Sequence, residues 1–310
     1  MKELSAPELF PGHDGGAWNP IAHTVVAQWP VGAFAENLAI DASGAIYISL
    51  HSHSRIDRYD PVTGECAPFV ETPAPVSGLA FGTDGILWAT GGTVGTAPGF
   101  VWRIDQRGTL SDWVSVPDAF FMNGCALLED GRTLLVCESV TGRVLAIDVM
   151  VPSYRSWLAD DRFKPGDPQT PGANGIKISG GFAYISVTDA NLLYRAAIGA
   201  GGGAGELEIV ANNLRADDFA FAASGALYVA THPAQTLVRL DADRMRSTVA
   251  GPDQGMVGST ACAFGRTPAD AMALYVTTNG GLYRPHEGVL QDAKLVRLEV
   301  GEPGAPLAGA

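Results

Sequence analysis

Six residues spaced about one repeat apart carry small or acidic oxygen donors: Glu36, Ser77, Asn123, Asn174, Asp217 and Thr260. Glu36, Ser77 and Asp217 each lie 11 residues before a bulky residue (Tyr47, Trp88 and Tyr228), Asn123 lies 12 before Leu135, and Asn174 lies 10 before Tyr184. Thr260 joins them when "TACAFG" is matched to "SGLAFG". None of the six is apolar, and polar groups that converge inside a protein need partners. Two carboxylates and two amide carbonyls, with hydroxyls or water beside them, make an all-oxygen set suited to a hard divalent cation. Ca2+ fits it most naturally, with Mg2+, Mn2+ and Zn2+ as the other candidates. The sequence has no His/Cys cluster of the kind that holds structural Zn2+.

Asn174 raises a difficulty. Asn174-Gly175 is a strong hairpin-turn signal, because both residues tolerate positive φ. Yet Pro168, Pro171 and Gly172 precede it and cannot build the upstream strand of a hairpin. Asn174 is therefore expected at the mouth of a strand, with its amide wanted for something other than a turn. Turn chemistry explains any one Asn-Gly or Asp-Asp pair taken alone. Four suitable residues in one register favour the cation site, and one of them is Glu36, of a type seldom used in turns.

The elements that must position these residues are repeats. One phrase recurs six times: a short strand, a Gly-containing turn, then a strand centred on Tyr47, Trp88, Leu135, Tyr184, Tyr228 or Tyr275, at intervals of 41 to 49 residues. A third strand with an Arg/Asp rhythm follows ("SRIDRYD", "GFVWRID", "TLVRLDA"), then in most copies a fourth. The sixth copy ends after its third strand, and the missing strand is available at the other end in Ala22 to Trp29. The fold predicted is all-β: a six-bladed β-propeller closed by an N-terminal strand in the last blade. Residues 1–310 read as one domain, with blades at roughly 31–70, 71–115, 116–160, 168–211, 212–251 and 255–300 plus 22–29. The first strand of each blade lines the central channel, so one shared register converges on the axis. The Gly-rich segment Gly199 to Glu206 reads as an outer hairpin and the tail from Gly301 as frayed.

A net charge of −13 opposes nucleic acid and anionic membranes as partners and suits a cation. No apolar run is long enough to span a bilayer, and "MKELSAPELFPGHDGG" lacks the apolar core of a secretory signal, so a cytoplasmic address is expected. Cys66, Cys125, Cys137 and Cys262 lie far apart and read as reduced. A small-molecule substrate and a monomer or weak homo-oligomer are expected.

These phrases resemble the SMP-30/gluconolactonase/LRE-like family, which includes a calcium-dependent diisopropyl fluorophosphatase and lactonases related to serum paraoxonase. The resemblance runs from about Glu36 to Gly281. It implies metal ligation by Glu36, by Asn123 in "FMNGCAL", by Asn174 in "ANGIKIS" and by Asp217 in "ADDFAFA", and hydrolysis of a lactone or similar ester. Glu36 and Asp217 would be the catalytic carboxylates, Asp217 orienting or deprotonating the attacking water, or attacking directly. Two departures matter. The family's Gly-Glu-Gly-Pro is "AENLAID" here, and where its sugar-acid lactonases carry Arg two residues before the third-blade Asn, this chain has Phe121. Together with Phe34, Phe120 and Met122, Phe121 predicts an apolar pocket and a hydrophobic substrate. Ser77, Thr260, His51, His232, Phe121 and Met122 complete the substrate-binding set. His51 and His232 end equivalent second strands, and each reads as a rim histidine or a proton carrier. Two other readings stand beside this one: a strictosidine-synthase-like enzyme that works without metal, and a non-catalytic propeller that only binds.

Overall fold

The computed structural model describes residues 21–167 and 169–306; the amino-terminal segment read for an export signal, and Pro168, lie outside them. Within these residues the chain forms six four-stranded antiparallel sheets, each in sequential order except the last. That sheet takes Ser259–Phe264, Ala273–Thr278 and Ala293–Glu299 from the end of the chain and His23–Trp29 from its beginning. His23 pairs with Leu298 and Trp29 with Ala293, which closes the ring as expected. The Trp29 indole N–H donates to Asp57 Oδ2 at 2.8 Å, tying the closing strand to blade one as well. Among the described residues no helix is long and apolar enough to cross a membrane.

The period-2 alternation of each strand sends one row of side chains to each face, and adjacent blades bury those faces against each other. The apolar core is accordingly divided into six clusters, one in each seam between blades. The seam between blades six and one joins Trp29, Tyr275 and Leu295 to Ile46 and Ile48. The recurrent Arg of the third strand has a physical reason: it sits directly across the ladder from the bulky residue of the second, as in Tyr47↔Arg58, Trp88↔Arg103 and Tyr228↔Arg239. Its guanidinium lies 6.0 Å from the ring centroid over Tyr47 and over Tyr228, within cation–π range.

One expectation is corrected. Residues 301–306 of the tail are docked, not frayed: Ala305 N donates to Phe221 O, and Glu302 accepts from Ser224, Tyr228 and Arg239 of blade five. Asn174 is the second residue of the strand Ala173–Ser179, at its mouth as expected, and Asn174-Gly175 together oppose Ser186. The pair is a β-bulge within a strand, which is why no upstream hairpin strand is needed.

Candidate active site at the propeller axis

The same bulge recurs in the first strands of five blades, at Ala35/Asn37, Val76/Leu79, Met122/Cys125, Ala173/Ile176 and Ser259/Cys262. A bulge re-aims a side chain without ending the sheet. Here it sets Glu36, Ser77, Asn123, Asn174 and Thr260 in one structural register. In blade five the regular strand begins only at Phe219, with Asp217 just ahead of it. Glycine follows the bulged residue in three blades because the next blade comes too close for a side chain. A Cβ on Gly124 would stand 2.6 Å from Asn174 O, and one on Gly175 would stand 2.6 Å from Asp217 O.

Two rings of hydroxyl and imidazole groups hold this geometry, and both are periodic in the sequence. Two residues after the bulky centres, Ser49, Thr90 and Ser186 donate to the carbonyls of Ser77, Asn123 and Asp217 in the next blade. Each also accepts the N–H of its own blade's bulge, from Asn37, Gly78 and Gly175. Four residues after the centres, His51, Ser139 and Thr188 donate to the carbonyls of Val76, Ala173 and Ala216. Of these six residues His51 alone was read from the sequence; the other five stand at the same fixed distances from the bulky centres, a signal that the second strands carry.

The four candidate ligands are buried, at 7% exposed for Glu36, 1% for Asn123, 4% for Asn174 and 6% for Asp217. Asn174 Nδ2 donates to Asp217 Oδ1 at 2.7 Å and to Thr188 Oγ1 at 2.9 Å. Asn123 Nδ2 donates to Ser139 Oγ at 3.2 Å. Glu36 Oε2 and Asn123 Oδ1 are buried acceptors that no described group satisfies, an arrangement native proteins rarely leave without a ligand, ion or water. Burial, with the charge of Asp218 added, pushes the Glu36 carboxyl up to about 8, against the pull of Lys177. Burial and the charges of Glu36 and Asp218 raise Asp217 well above the usual carboxylate range. Among the described residues no group of three His, Cys, Asp or Glu has metal-holding geometry. The candidate set is instead two carboxylates and two amides, and its unpartnered oxygens fit a hard oxygen-seeking cation.

Above these residues the mouth is aromatic. Phe34 lies 5.7 Å from His51, 6.0 Å from His232 and 5.9 Å from Tyr283, and His51 lies 6.3 Å from Phe121. Tyr283, missed from the sequence because it sits in the long loop after Thr278, is 68% exposed. Arg215 occupies the rim position of blade five that is Phe34 and Phe121 in blades one and three.

The two histidines differ. A carbonyl can only accept, so the 3.2 Å contact of His51 Nδ1 with Val76 O puts the proton on Nδ1. The other nitrogen makes no hydrogen bond among the described residues. His232 has the opposite constraint. Asn279 Oδ1 accepts Gly281 N and Leu282 N, so its amide nitrogen must face His232 Nε2, at 2.8 Å. Nε2 is then an acceptor and Nδ1 carries the proton, 3.6 Å from Asp217 Oδ2. Burial, and then the Arg215 charge, lowers His232 to about 4, so the ring is neutral at pH 7. Asn279 occupies the position of His232 in the next repeat, four residues after Tyr275, and the sequence offered that signal.

Three expected substrate contacts are corrected. Met122 is fully buried in the seam between blades two and three, beside Ala119 and Val116. Thr260 Oγ1 donates to Ala35 O at 2.7 Å and is fully buried. Ser77 is also fully buried, its hydroxyl within 3.2 Å of His51 Nδ1. The hydroxyls of the bulged residues in blades two and six thus face protein groups of the neighbouring blade, whereas Asn123, equally buried, keeps an unsatisfied oxygen.

No family model and no curated protein matches the chain. Solved structures do. A luciferin-regenerating enzyme superposes with a TM-score of 0.74 at 15% identity, over 93% of this chain and 98% of its own. Regucalcin, a calcium-binding protein from Agrobacterium tumefaciens, gives 0.69 at 19% identity over 93% and 98%. A gluconolactonase from Xanthomonas campestris gives 0.67 at 14% identity over 93% and 90%. Structural neighbours of this chain therefore include gluconolactonase, luciferin-regenerating enzyme and regucalcin, and what the chain shares with them at these identities is the fold.

Proposed function

We propose that this protein is a hydrolase of lactones or similar esters that works with a divalent cation, most naturally Ca2+, on a hydrophobic small molecule. The observation that carries the reading is the pair of buried, unsatisfied acceptors, Glu36 Oε2 and Asn123 Oδ1, in the same strand register as Asn174, which donates to Asp217, with the rings of Phe34, His51, His232 and Tyr283 gathered nearby. The gluconolactonase and calcium-binding neighbours support it. Glu36, Asn123, Asn174 and Asp217 would hold the cation, which when bound polarises a carbonyl and offsets developing negative charge. Asp217 holds the attacking water and takes its proton. Its plane is fixed by Asn174 at Oδ1, and the neutral His232 presents Nδ1–H toward Oδ2. Burial raises the affinity of Asp217 for a proton, which suits it to accept one. Phe34, Phe121 and Tyr283 form an apolar wall, where each hydroxyl of a sugar lactone left without a partner costs on the order of 1–3 kcal/mol.

The test compares kcat/KM for dihydrocoumarin, medium-chain alkyl lactones and gluconolactone, each before and after chelation and Ca2+ re-addition. The aryl and alkyl lactones should lead, with activity lost to chelator and restored by Ca2+. No lactone turnover under any metal overturns the hydrolase reading; gluconolactone leading overturns the apolar pocket.

A further inference from the structure

Farther along the first strands from the mouth lies a cluster that the chemistry above leaves unused. Asp218 occupies the position after the bulge, which is glycine in blades two, three and four and Asn37 in blade one. Lys177 Nζ lies 2.6 and 2.5 Å from its two oxygens. Asn37 Nδ2 donates to Oδ2 at 3.1 Å, and Phe219 N donates to Oδ1 at 2.8 Å. An ionised carboxylate offers about four lone-pair sites, so Asp218 is fully engaged. It is 4% exposed and Lys177 29%. The cluster ties blades one, four and five together across the axis. Both members act on Glu36, Asp218 raising and Lys177 lowering its proton affinity. Among the described residues Lys177 is the one Lys or Arg paired with any of the three axial carboxylates; Arg215 stands at the rim and makes no such pair.

We propose that Lys177 is the specificity-determining residue of the axial site: by engaging both oxygens of Asp218 it cancels the third carboxylate, so that Glu36 and Asp217 alone set the field, and a divalent ion is preferred over a trivalent one. The proposal rests on the cation reading above. Without Lys177 the field at the ligands is triply negative and favours the higher charge; without Asp218 the unpaired ammonium repels any cation.

The experiment measures Tb3+ binding by its luminescence, and Ca2+ binding by displacement of Tb3+, on the full chain. Lys177→Met should raise the preference for Tb3+ over Ca2+ by about tenfold or more, and Asp218→Asn should weaken both ions by at least about tenfold. The double variant Lys177→Met/Asp218→Asn restores the charge balance and should return the ratio and both affinities to within a few-fold of the unaltered chain. If Lys177→Met does not fold, Asp218→Asn against the double variant decides alone: recovery of affinity supports the proposal, and equal or greater loss overturns it. An unaltered chain that binds neither ion overturns the cation reading and the proposal with it. A chain that binds both, with a ratio indifferent to Lys177, overturns only the role of Lys177.

Discussion

Blades one and five each bring a carboxylate and a histidine to the same pocket, from equivalent places in the repeat, yet they hold them differently. In blade five, Asp217 is fixed by Asn174, Asp218 by Lys177, and His232 by Asn279. In blade one, Glu36 Oε2 has no described partner and His51 is anchored through Nδ1 alone. One side is pre-organised and the other is chemically available. A repeat fixes where a side chain emerges; its neighbours from other blades fix its charge, tautomer and freedom. Pre-organised groups stabilise developing charge without reorganising, while an available nitrogen can take up a proton.

The largest expected effect removes the fixed carboxylate. Asp217→Asn keeps the shape and loses one negative charge, and should lower kcat by about 10²–10⁴. Ser77→Ala, at a structurally equivalent position that carries no charge, should change kcat/KM only a few-fold. Equal losses, measured on lactone hydrolysis at matched folding by circular dichroism, would show that the register carries no chemistry. The next concerns blade one. Burial and Asp218 raise Glu36 to about 8, so at pH 7 the metal-free chain carries that proton, and ion binding must release it. Ca2+ affinity should rise with pH through about 8, falling about tenfold or more per unit below that value, because Asp217 is raised as well and a second proton adds to the slope. Calorimetry in buffers of different ionisation enthalpy counts the protons released; a count of zero at pH 7 breaks the idea that Glu36 is the available ligand.

The smallest effect separates the histidines. His51→Gln should lower kcat by about tenfold or more, since a free Nε2 is lost. Asn279→Ala should cost only a few-fold in activity while releasing the His232 tautomer, seen as a change in the side-chain nitrogen correlations of His232 by NMR. If those correlations show Nε2–H in the unaltered chain, the pre-organisation ascribed to blade five is wrong.

Much of this was legible beforehand because it is periodic. The bulky centres from Tyr47 to Tyr275 and the orphan strand near Trp29 gave the blade count and the closure. The shared distance to those centres picked out Glu36, Asn123, Asn174 and Asp217, which stand at equivalent places in or just ahead of four first strands, with Asn174 donating to Asp217. Met122, Ser77 and Thr260 were misread because sequence position gives the side of the strand but not the depth in a seam. Asn174-Gly175 was rightly set apart from a hairpin turn, but the bulge was not legible, because a glycine that admits a neighbouring carbonyl looks, in sequence, like one chosen for positive φ.

By itself the sequence determined what local spacing encodes: strand alternation, repeat length, ring closure, and the register that points polar groups inward. Tertiary structure alone decided which of those groups meet. The Asn37–Asp218 contact spans 181 positions and the Asn279–His232 contact 47. Repeat position marks Asn279 and His232 as equivalent but does not show that they touch; that contact follows from the packing of blade six against blade five. The Asn37–Asp218 contact follows from closure of the ring, which brings side chains of blades one, four and five together on one axis.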